Sequence, residues 1–294
     1  MEENKSLLKK LYKVFPFKKE IFNLLKLVWK PKESIYRHLH FTGVFRVSID
    51  KEHSFKIKHY GYQLENEIFW CGLAGGWEKN SVKIWTQLCA QASSVVDIGA
   101  NTGIYSLIAK AVNPNAKVYA FEPVKRVFKK MEENVVLNNF DIFLYEKGVS
   151  DKNGKAKIYD PGTDHVYSVT VNKNLASAEI GVTETEIDIV TLDTFIEENK
   201  IGHVDLLKID VETHEPEVLK GFRKYLALFK PTMLVEVLNE EVAHEVSQAV
   251  AGLNYLYFNI DEVGSIRRVD KITKSDYYNF LLCNESTAAQ LNLL

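Results

Sequence analysis

Residues 95–112 read VVDIGANTGIYSLIAKAV, a run that predicts a strand, a glycine-containing turn and a helix in succession. The apolar, β-branched part ends in Asp97, and Gly99 and Gly103 follow within the turn. Glycine lets the backbone approach a ligand closely, because a Cβ there would collide with the ligand or forbid the required dihedral angles. A strand, turn and helix in this order open a nucleotide-binding βαβ unit, so we expect a ligand at this turn.

The acid at the end of the first strand indicates what kind of ligand to expect. A dinucleotide-binding turn needs Gly-x-Gly-x-x-Gly, whereas this turn has Asp97 and no Gly-x-Gly pair, and a carboxylate suits pyrophosphate poorly. A cationic ligand with an amino-acid tail suits it better, because Asp97 can bind an ammonium group and Asn101 can reach a carboxylate or a ribose. The strand KVYAFEP, residues 117–123, ends in Glu122, which can accept from both ribose hydroxyls. Together these features predict S-adenosylmethionine as the cofactor.

Motifs in four places strengthen this prediction. They read DIGANTG at residues 97–103, FEP at 121–123, LDTF at 192–195 and KIDVETHEPEVLKG at 208–221. With them, residues 81–238 resemble a class I S-adenosylmethionine-dependent methyltransferase and, more narrowly, the FkbM family. In that family glycine usually follows the second acid of the last motif, whereas this chain has Thr213 after Glu212. The resemblance implies O-methylation, often of a sugar, a glycan or a related metabolite that carries a hydroxyl.

The rest of the core alternates between predicted strands and helices, as in a Rossmann-like, doubly wound α/β fold with a mostly parallel, seven-stranded sheet. The predicted strands are 94–98, 118–121, 142–145, 204–209, 233–237, 255–260 and 279–283, the last two forming a terminal hairpin. Residues 151–185 are predicted to be an insertion rich in turn residues. Ligands of such sheets bind at the carboxyl ends of the strands, which is where we expect the site.

The N-terminal residues differ in composition from the core. Residues 1–33 are predicted to form a basic arm of two short amphipathic helices, because nine lysines alternate with apolar residues and Pro16 interrupts them. One interpretation packs this arm against the catalytic domain or a second subunit of a homo-oligomer, and another places it on a membrane surface. Residues 34–78 are predicted to be a small β-rich segment, and residues 79–294 the methyltransferase domain.

Composition and charge restrict the class of protein further. With 294 residues, of which 46% are hydrophobic, the chain can bury a full α/β core, and a formal net charge of −2 gives no overall attraction to nucleic acid. Cys71, Cys89 and Cys283 never occur in Cys-x-x-Cys spacing, so we expect neither a disulfide framework nor a zinc site. The sequence lacks a membrane-spanning apolar run and a signal-peptide pattern, which predicts a cytoplasmic protein, membrane-peripheral if the arm binds lipid.

The fourth core strand carries the residues that we expect to do chemistry. In VDLLKIDVETHEP, alternation places Lys208, Asp210 and Glu212 on one face of the strand. A lysine and two carboxylates are costly to bury unless they pair, and perturbed charge clusters are enriched at functional sites. The purely structural alternative is an ion pair of Lys208 with Asp210 or Glu236, together with a helix cap from Glu215.

Methyl transfer to a hydroxyl requires that the acceptor is held in line and that its proton is removed. His214 is the predicted base, because a histidine titrates near neutral pH. Asp210 would orient the acceptor or the histidine, while Lys208 and Glu212 keep the cluster in place. The small-molecule or glycan acceptor itself is not identified by any residue of the sequence.

Ten residues are predicted to bind the cofactor: Asp97, Gly99, Ala100, Asn101, Gly103, Glu122, Pro123, Val149, Ser150 and Asp210. A metal-assisted alternative resembles catechol-type methyltransferases, with Asp210, Glu236 and Asn239 holding a divalent magnesium ion. Two alternatives come from other classes of protein. A nicotinamide-dependent oxidoreductase should show Gly-x-Gly-x-x-Gly, which is absent here, and a non-catalytic binding module is favoured only by the basic arm and Thr213.

Overall fold

The computed structural model describes residues 16–73, 75–160 and 183–294. Its N-terminal elements are α1 (Lys18–Val28), α2 (Glu33–Tyr36), β1 (Gly43–Ser48), β2 (Ser54–His59), α3 (Gln63–Cys71) and α4 (Lys79–Cys89). There follow β3 (Ser94–Ile98), α5 (Ile104–Val112), β4 (Lys117–Phe121), α6 (Lys125–Asn138), β5 (Ile142–Tyr145), β6 (Gly148–Val149), β7 (Gly154–Asp160) and β8 (Thr183–Val190). The chain continues with α7 (Leu192–Glu198), β9 (Leu206–Ile209), α8 (Glu215–Lys220), α9 (Arg223–Phe229) and β10 (Thr232–Glu236). It ends with α10 (Glu240–Ala249), β11 (Leu256–Ile260), β12 (Ile266–Val269), β13 (Asn279–Cys283) and α11 (Glu285–Gln290).

Within the described residues, the central sheet has eight strands in the order β12-β11-β13-β10-β9-β3-β4-β5. Neighbours from β10 to β5 pair in parallel, whereas β13 runs antiparallel to both β10 and β11. The predicted mostly parallel α/β sheet is therefore confirmed, and so is the terminal pair β11 and β13. The sheet has one strand more than the seven predicted, because the short, charged segment IRRV of β12 adds to its edge. An edge strand needs no continuous apolar run, so the sequence pattern did not reveal it.

Helices cover both faces of the sheet, as the doubly wound prediction requires. On one face, α4, α5 and α6 bury a core cluster that includes Trp85, Leu107 and Met131. On the other face, α7 to α10 bury a second cluster that includes Phe195 and Phe222. Successive side chains of a strand point to opposite faces of the sheet, and here both faces are buried. These strands are therefore continuous apolar runs in the sequence.

A small sheet of order β6-β8-β7 lies beside the central one. β7 and β8 pair antiparallel, so both ends of the predicted turn-rich insertion form a hairpin instead of turns. The segment between them, residues 161–182, lies outside the described residues. Ile158, Ile187 and Ile189 of this hairpin form a third apolar cluster with Val124 and Val127, which places the hairpin against the end of β4 and the start of α6.

The N-terminal segment packs on the core through one face of α1 and through the β1-β2 hairpin. Phe22 of α1 is buried against Phe41 and Trp70. The hairpin agrees with the alternation predicted for residues 34–78 only over residues 43–59, because residues 63–71 form the helix α3 instead of a strand. The backbone N–H of Lys58 donates to Asn134 of α6 at 2.9 Å. Residues 1–15 of the predicted arm lie outside the described residues, and the proposed domain boundaries stay predictions. No helix in the described parts of the chain is long and apolar enough to cross a membrane.

Candidate active site

The glycine turn between β3 and α5 is shaped by close backbone contacts. Gly99 has φ +78°, and a Cβ there would lie 1.8 Å from the carbonyl oxygen of Asp210. Gly103 has φ +87° and precedes α5, where a Cβ would lie 3.0 Å from Cγ of Met131. Gly99 is therefore required by the close approach of the Asp210 backbone, whereas at Gly103 it is mainly the positive φ that favours glycine.

Glu122 at the end of β4 holds the turn from the other side. Its two oxygens accept from the backbone N–H groups of Asn101 and Val124, at 3.0 and 2.9 Å. Burial raises the pKa of Glu122 to about 7, although both backbone donors and Arg126 lower it. The side-chain oxygen Oδ1 of Asn101 is buried with no hydrogen-bond partner. These two side chains leave acceptor capacity for a ligand beside the turn.

A cavity of about 370 Å³ opens at these strand ends, which is within the usual range of roughly 300–1,000 Å³ for ligand pockets. Six residues of the predicted cofactor-binding set besides Asp210 line it: Gly99, Asn101, Glu122, Pro123, Val149 and Ser150. Asp210, Glu212 and His214 of the predicted catalytic set line it too. Asp97, Ala100, Gly103 and Lys208 are not part of its wall as described. The hairpin residues Ile158, Ile187 and Ile189 supply an apolar side that the sequence analysis missed, because the insertion was expected to be turns.

Beneath the cavity lies a buried cluster of charged side chains. Asp97 and Lys208 are register partners on β3 and β9 and are 0% and 3% exposed. The Lys208 ammonium contacts Asp210 Oδ2 at 2.6 Å and lies 4.4 Å from the centre of the Tyr105 ring. Ser106 Oγ donates to Asp97 Oδ2 at 2.7 Å, while Oδ1 of Asp97 is buried without a partner. The ion pair of Lys208 with Asp210 is one of the two that the structural alternative predicted.

Glu78 joins this cluster from the segment before α4, and the sequence analysis missed it. The hydroxyl of Tyr105 donates to its carboxylate. Burial raises the pKa of Glu78, opposed by the charge of Lys208 and reinforced by that of Asp210. Burial lowers the pKa of Lys208, but Asp210, Glu78 and Asp97 together raise it above its ordinary value, so the lysine stays charged. Three carboxyl groups thus surround one ammonium, and the cluster has an excess of acid.

His214 makes its contacts away from this cluster. Its Nε2 lies 2.9 Å from Ser150 Oγ, and its Nδ1 lies 3.5 Å from Oε2 of Glu217, three residues later. Burial lowers the pKa of His214, against the raising effect of Glu217, so the imidazole is neutral at neutral pH. The acid at His214 is therefore Glu217, whereas Asp210 pairs with Lys208. The i, i+3 spacing of His214 and Glu217 is the sequence signal that indicates this pair.

The loop that carries these residues has an unusual backbone. Glu212 and Thr213 have φ +54° and +78°, in the left-handed region that favours glycine. Oε1 of the fully buried Glu215 accepts from the backbone N–H of Val211 at 3.0 Å. Glu215 thus stabilises the loop that precedes it in the chain by accepting from Val211. The structural alternative expected Glu215 to cap α8. Thr213 thus stands where the resemblance implies glycine, and its backbone adopts a conformation that favours glycine.

The proposed metal ligands are not arranged as a metal site within the described residues. No group of three or more His, Cys, Asp and Glu side chains there could hold a metal ion. The Asn239 side chain accepts from the backbone N–H of Val242 at 2.9 Å and caps α10. Burial raises the pKa of Glu236, and Asp210 and Glu212 raise it further, so this carboxyl favours its protonated form.

One protein family and several known proteins are similar to this chain. The sequence profile of the family described as "Methyltransferase FkbM domain" matches residues 97–257, more than half of the chain. Methyltransferase 1 of Beauveria bassiana is 28% identical over 144 residues, covering 44% of this chain and 58% of that protein. The 31-O-demethyl-FK506 methyltransferase FkbM of Streptomyces tacrolimicus is 28% identical over 151 residues, covering 43% and 58%.

A third relative shares a longer stretch. The hexuronic acid methyltransferase AglP of Haloferax volcanii is 25% identical over 186 residues, which cover 63% of this chain and 72% of that protein. The chain spans somewhat under three fifths of the length of the first two relatives. By its match to the family profile over residues 97–257, the chain belongs to the FkbM methyltransferase domain family.

Proposed function

We propose that this chain transfers the methyl group of S-adenosylmethionine to a hydroxyl of a sugar, a glycan or a related metabolite. The observation that carries the proposal is the set of acidic side chains at the glycine turn, where Asp97, Asp210 and Glu78 lie near Lys208 and Asp210 also lines the cavity. An anionic pyrophosphate would be repelled there, whereas a ligand that carries a sulfonium and an ammonium group would be attracted. Membership of the FkbM family supports the same cofactor.

The residues around the cavity fit such a cofactor. Glu122 lines the cavity and would accept from the ribose hydroxyls, and Asn101 Oδ1 offers a buried acceptor that has no partner. The isoleucines of the β7-β8 hairpin offer an apolar surface for a flat, uncharged ring. When bound, S-adenosylmethionine would supply a methyl group on a positively charged sulfur, open to attack from the side opposite to the sulfur.

His214 is the residue that we propose as the base. Burial keeps it neutral, and its Nε2, which contacts Ser150 Oγ at 2.9 Å, would accept the proton of the acceptor hydroxyl once that hydroxyl replaces Ser150 as its partner. Glu217 favours the tautomer with a proton on Nδ1 and stabilises the imidazolium that forms. Asp210 lines the same cavity, held by Lys208, and would orient the acceptor by accepting a hydrogen bond.

The relatives that are named for their substrates support a hydroxyl acceptor. One is named for 31-O-demethyl-FK506 and another for hexuronic acid. The metal-assisted alternative through Asp210 and Glu236 gains no support from the arrangement of the described side chains. The family match favours methyl transfer over both the oxidoreductase and the binding module.

Two measurements test the proposal. Calorimetry should detect binding of S-adenosylhomocysteine and none of NADH, and the reverse result would contradict the cofactor assignment. Transfer of radiolabelled methyl should then be measured on a panel of p-nitrophenyl glycosides that includes the glucuronide. With an accepted glycoside, His214→Ala should slow single-turnover transfer by roughly a hundredfold or more. Affinity for S-adenosylhomocysteine should stay unchanged in the same variant.

The matched control is His244→Ala, because His244 is an exposed histidine on α10. It should retain full activity. Full activity of His214→Ala would dismiss the base assignment. Activity that chelator abolishes and magnesium restores would instead move the chemistry to Asp210 and Glu236.

A further inference from the structure

Helix α1 exposes a row of large apolar side chains. Leu24, Leu27 and Val28 are 67%, 80% and 86% exposed, and Phe17, directly before the helix, is 71% exposed. Ile21 is 37% exposed. Scattered single apolar residues on a surface need no explanation, but a row on one short helix indicates an interaction site.

The row is separate from the face by which α1 packs on the protein. Phe17, Ile21, Leu24 and Val28 follow each other at spacings of four, three and four, so they lie on one side of the helix. Phe22 and Leu25, by contrast, contact the core cluster around Phe41 and Trp70. The inward residues fasten the helix to the protein, and the outward row, which we call the α1 stripe, is left to the solvent.

The charge around the α1 stripe is positive. The described residues 16–33 contain five lysines and two glutamates, in a chain of net charge −2. Lys30 and Lys32 are exposed and follow directly after the end of the helix, next to Val28. Lys26 contributes less, because its ammonium is engaged with the backbone carbonyl and the ring of Phe69. An apolar row with lysines at its end is complementary to a surface of anionic lipid headgroups.

The size of the stripe favours a bilayer over a second copy of the chain. α1 has 11 residues and is about 16 Å long. A stable protein interface needs about 800 Å² and roughly 20–30 residues from each partner, far more than one row of five side chains. A bilayer requires only that the row sinks to the boundary between headgroups and acyl chains, about 5–10 Å deep.

We propose that the α1 stripe docks the protein on an anionic membrane surface, with Phe17, Ile21, Leu24, Leu27 and Val28 inserted and Lys30 and Lys32 on the headgroups. Such docking is reversible, because α1, with 11 residues, is too short to span a bilayer. The inward face of the helix keeps its contacts with the protein. The inference does not depend on the proposed methyl transfer, since none of these residues lines the cavity.

The test is co-sedimentation of the full chain with vesicles. Wild-type protein should bind vesicles of phosphatidylcholine mixed with phosphatidylglycerol, bind phosphatidylcholine alone weakly, and lose binding as salt is added. Leu24→Glu combined with Leu27→Glu should weaken binding at least tenfold. The matched control is Leu228→Glu, because Leu228 on α9 is exposed to the same 67% as Leu24. This control should bind as the wild type does, and both variants should bind S-adenosylhomocysteine normally.

Three results would overturn the proposal. The first is no binding of the wild type to anionic vesicles, and the second is equal binding of the wild type and the Leu24/Leu27 variant. The third is a wild type that light scattering shows to be a dimer, with the Leu24/Leu27 variant monomeric and neither binding vesicles. That third result would assign the stripe to a second copy of the chain.

Discussion

Replacing Thr213 by glycine should stabilise the protein. Thr213 has φ +78°, and for a residue with a Cβ the left-handed region costs about 1–2 kcal/mol, most for a β-branched side chain. Glycine removes that cost but loses about 0.5–1 kcal/mol more backbone entropy on folding. The balance is a gain of roughly 0.5–1 kcal/mol in the free energy of unfolding, or about 2 °C in melting temperature for a chain of this size.

The assay is thermal and urea unfolding of Thr213→Gly, Thr213→Ala and the wild type. Alanine keeps the Cβ, so it should recover only part of the gain. Thr273→Gly is the matched control, because Thr273 is a half-buried loop threonine that does not have a positive φ angle. Glycine at position 273 should lower the free energy of unfolding. A Thr213→Gly protein less stable than Thr213→Ala would refute the argument from strain. Affinity for S-adenosylhomocysteine should change little, because Thr213 does not line the cavity.

Two further predictions concern buried carboxyl groups. Glu122→Gln should weaken binding of S-adenosylhomocysteine by roughly thirtyfold, about 2 kcal/mol, because ribose hydroxyls lose a charged acceptor. Since the pKa of Glu122 is about 7, wild-type affinity measured by calorimetry should fall as pH drops below 7, and Glu122→Gln should lack this dependence. Burial raises the pKa of Glu215 from 4.5 to about 8, so the folded protein binds this proton more tightly than the unfolded chain. The free energy of unfolding of the wild type, measured with urea, should therefore fall as pH rises from about 4.5 to 8. In Glu215→Gln it should change much less over this range. An equal pH dependence in both proteins would contradict the raised pKa of Glu215.

The turn and the strands around it were predictable because their constraints are local. An apolar run that ends in Asp97, followed by two glycines, can hardly be anything but a strand, a turn and a helix. The positive φ angles of Gly99 and Gly103 are the conformations for which glycine is needed. Alternation in β9 likewise placed Lys208 and Asp210 on one face, and they form an ion pair.

What the sequence did not reveal are contacts between distant segments. Glu78 lies in a stretch that reads only as a turn, and nothing local indicates that it meets Tyr105 and Lys208. The sequence left Asp210 to orient either the acceptor or His214, and in the structure Asp210 pairs with Lys208. The helical turn of α8 brings Glu217 to His214 instead, and the small sheet brings Ser150. Side-chain direction after a strand ends depends on φ and ψ in the loop, here reversed at Glu212 and Thr213.

The site also depends on residues outside the segment that matches the family profile. Asn134 of α6 accepts from the backbone of Lys58 in the N-terminal hairpin and donates to the carbonyl of Thr102 in the glycine turn, at 2.9 Å each. Glu78, which also precedes the matched segment, adds its carboxyl to the cluster around Lys208 and accepts from the Tyr105 hydroxyl. Removing either contact would leave a buried group of the matched segment without its partner, which is costly in a low-dielectric interior. The N-terminal segment is therefore part of the structure that sets the charge and the shape of the turn.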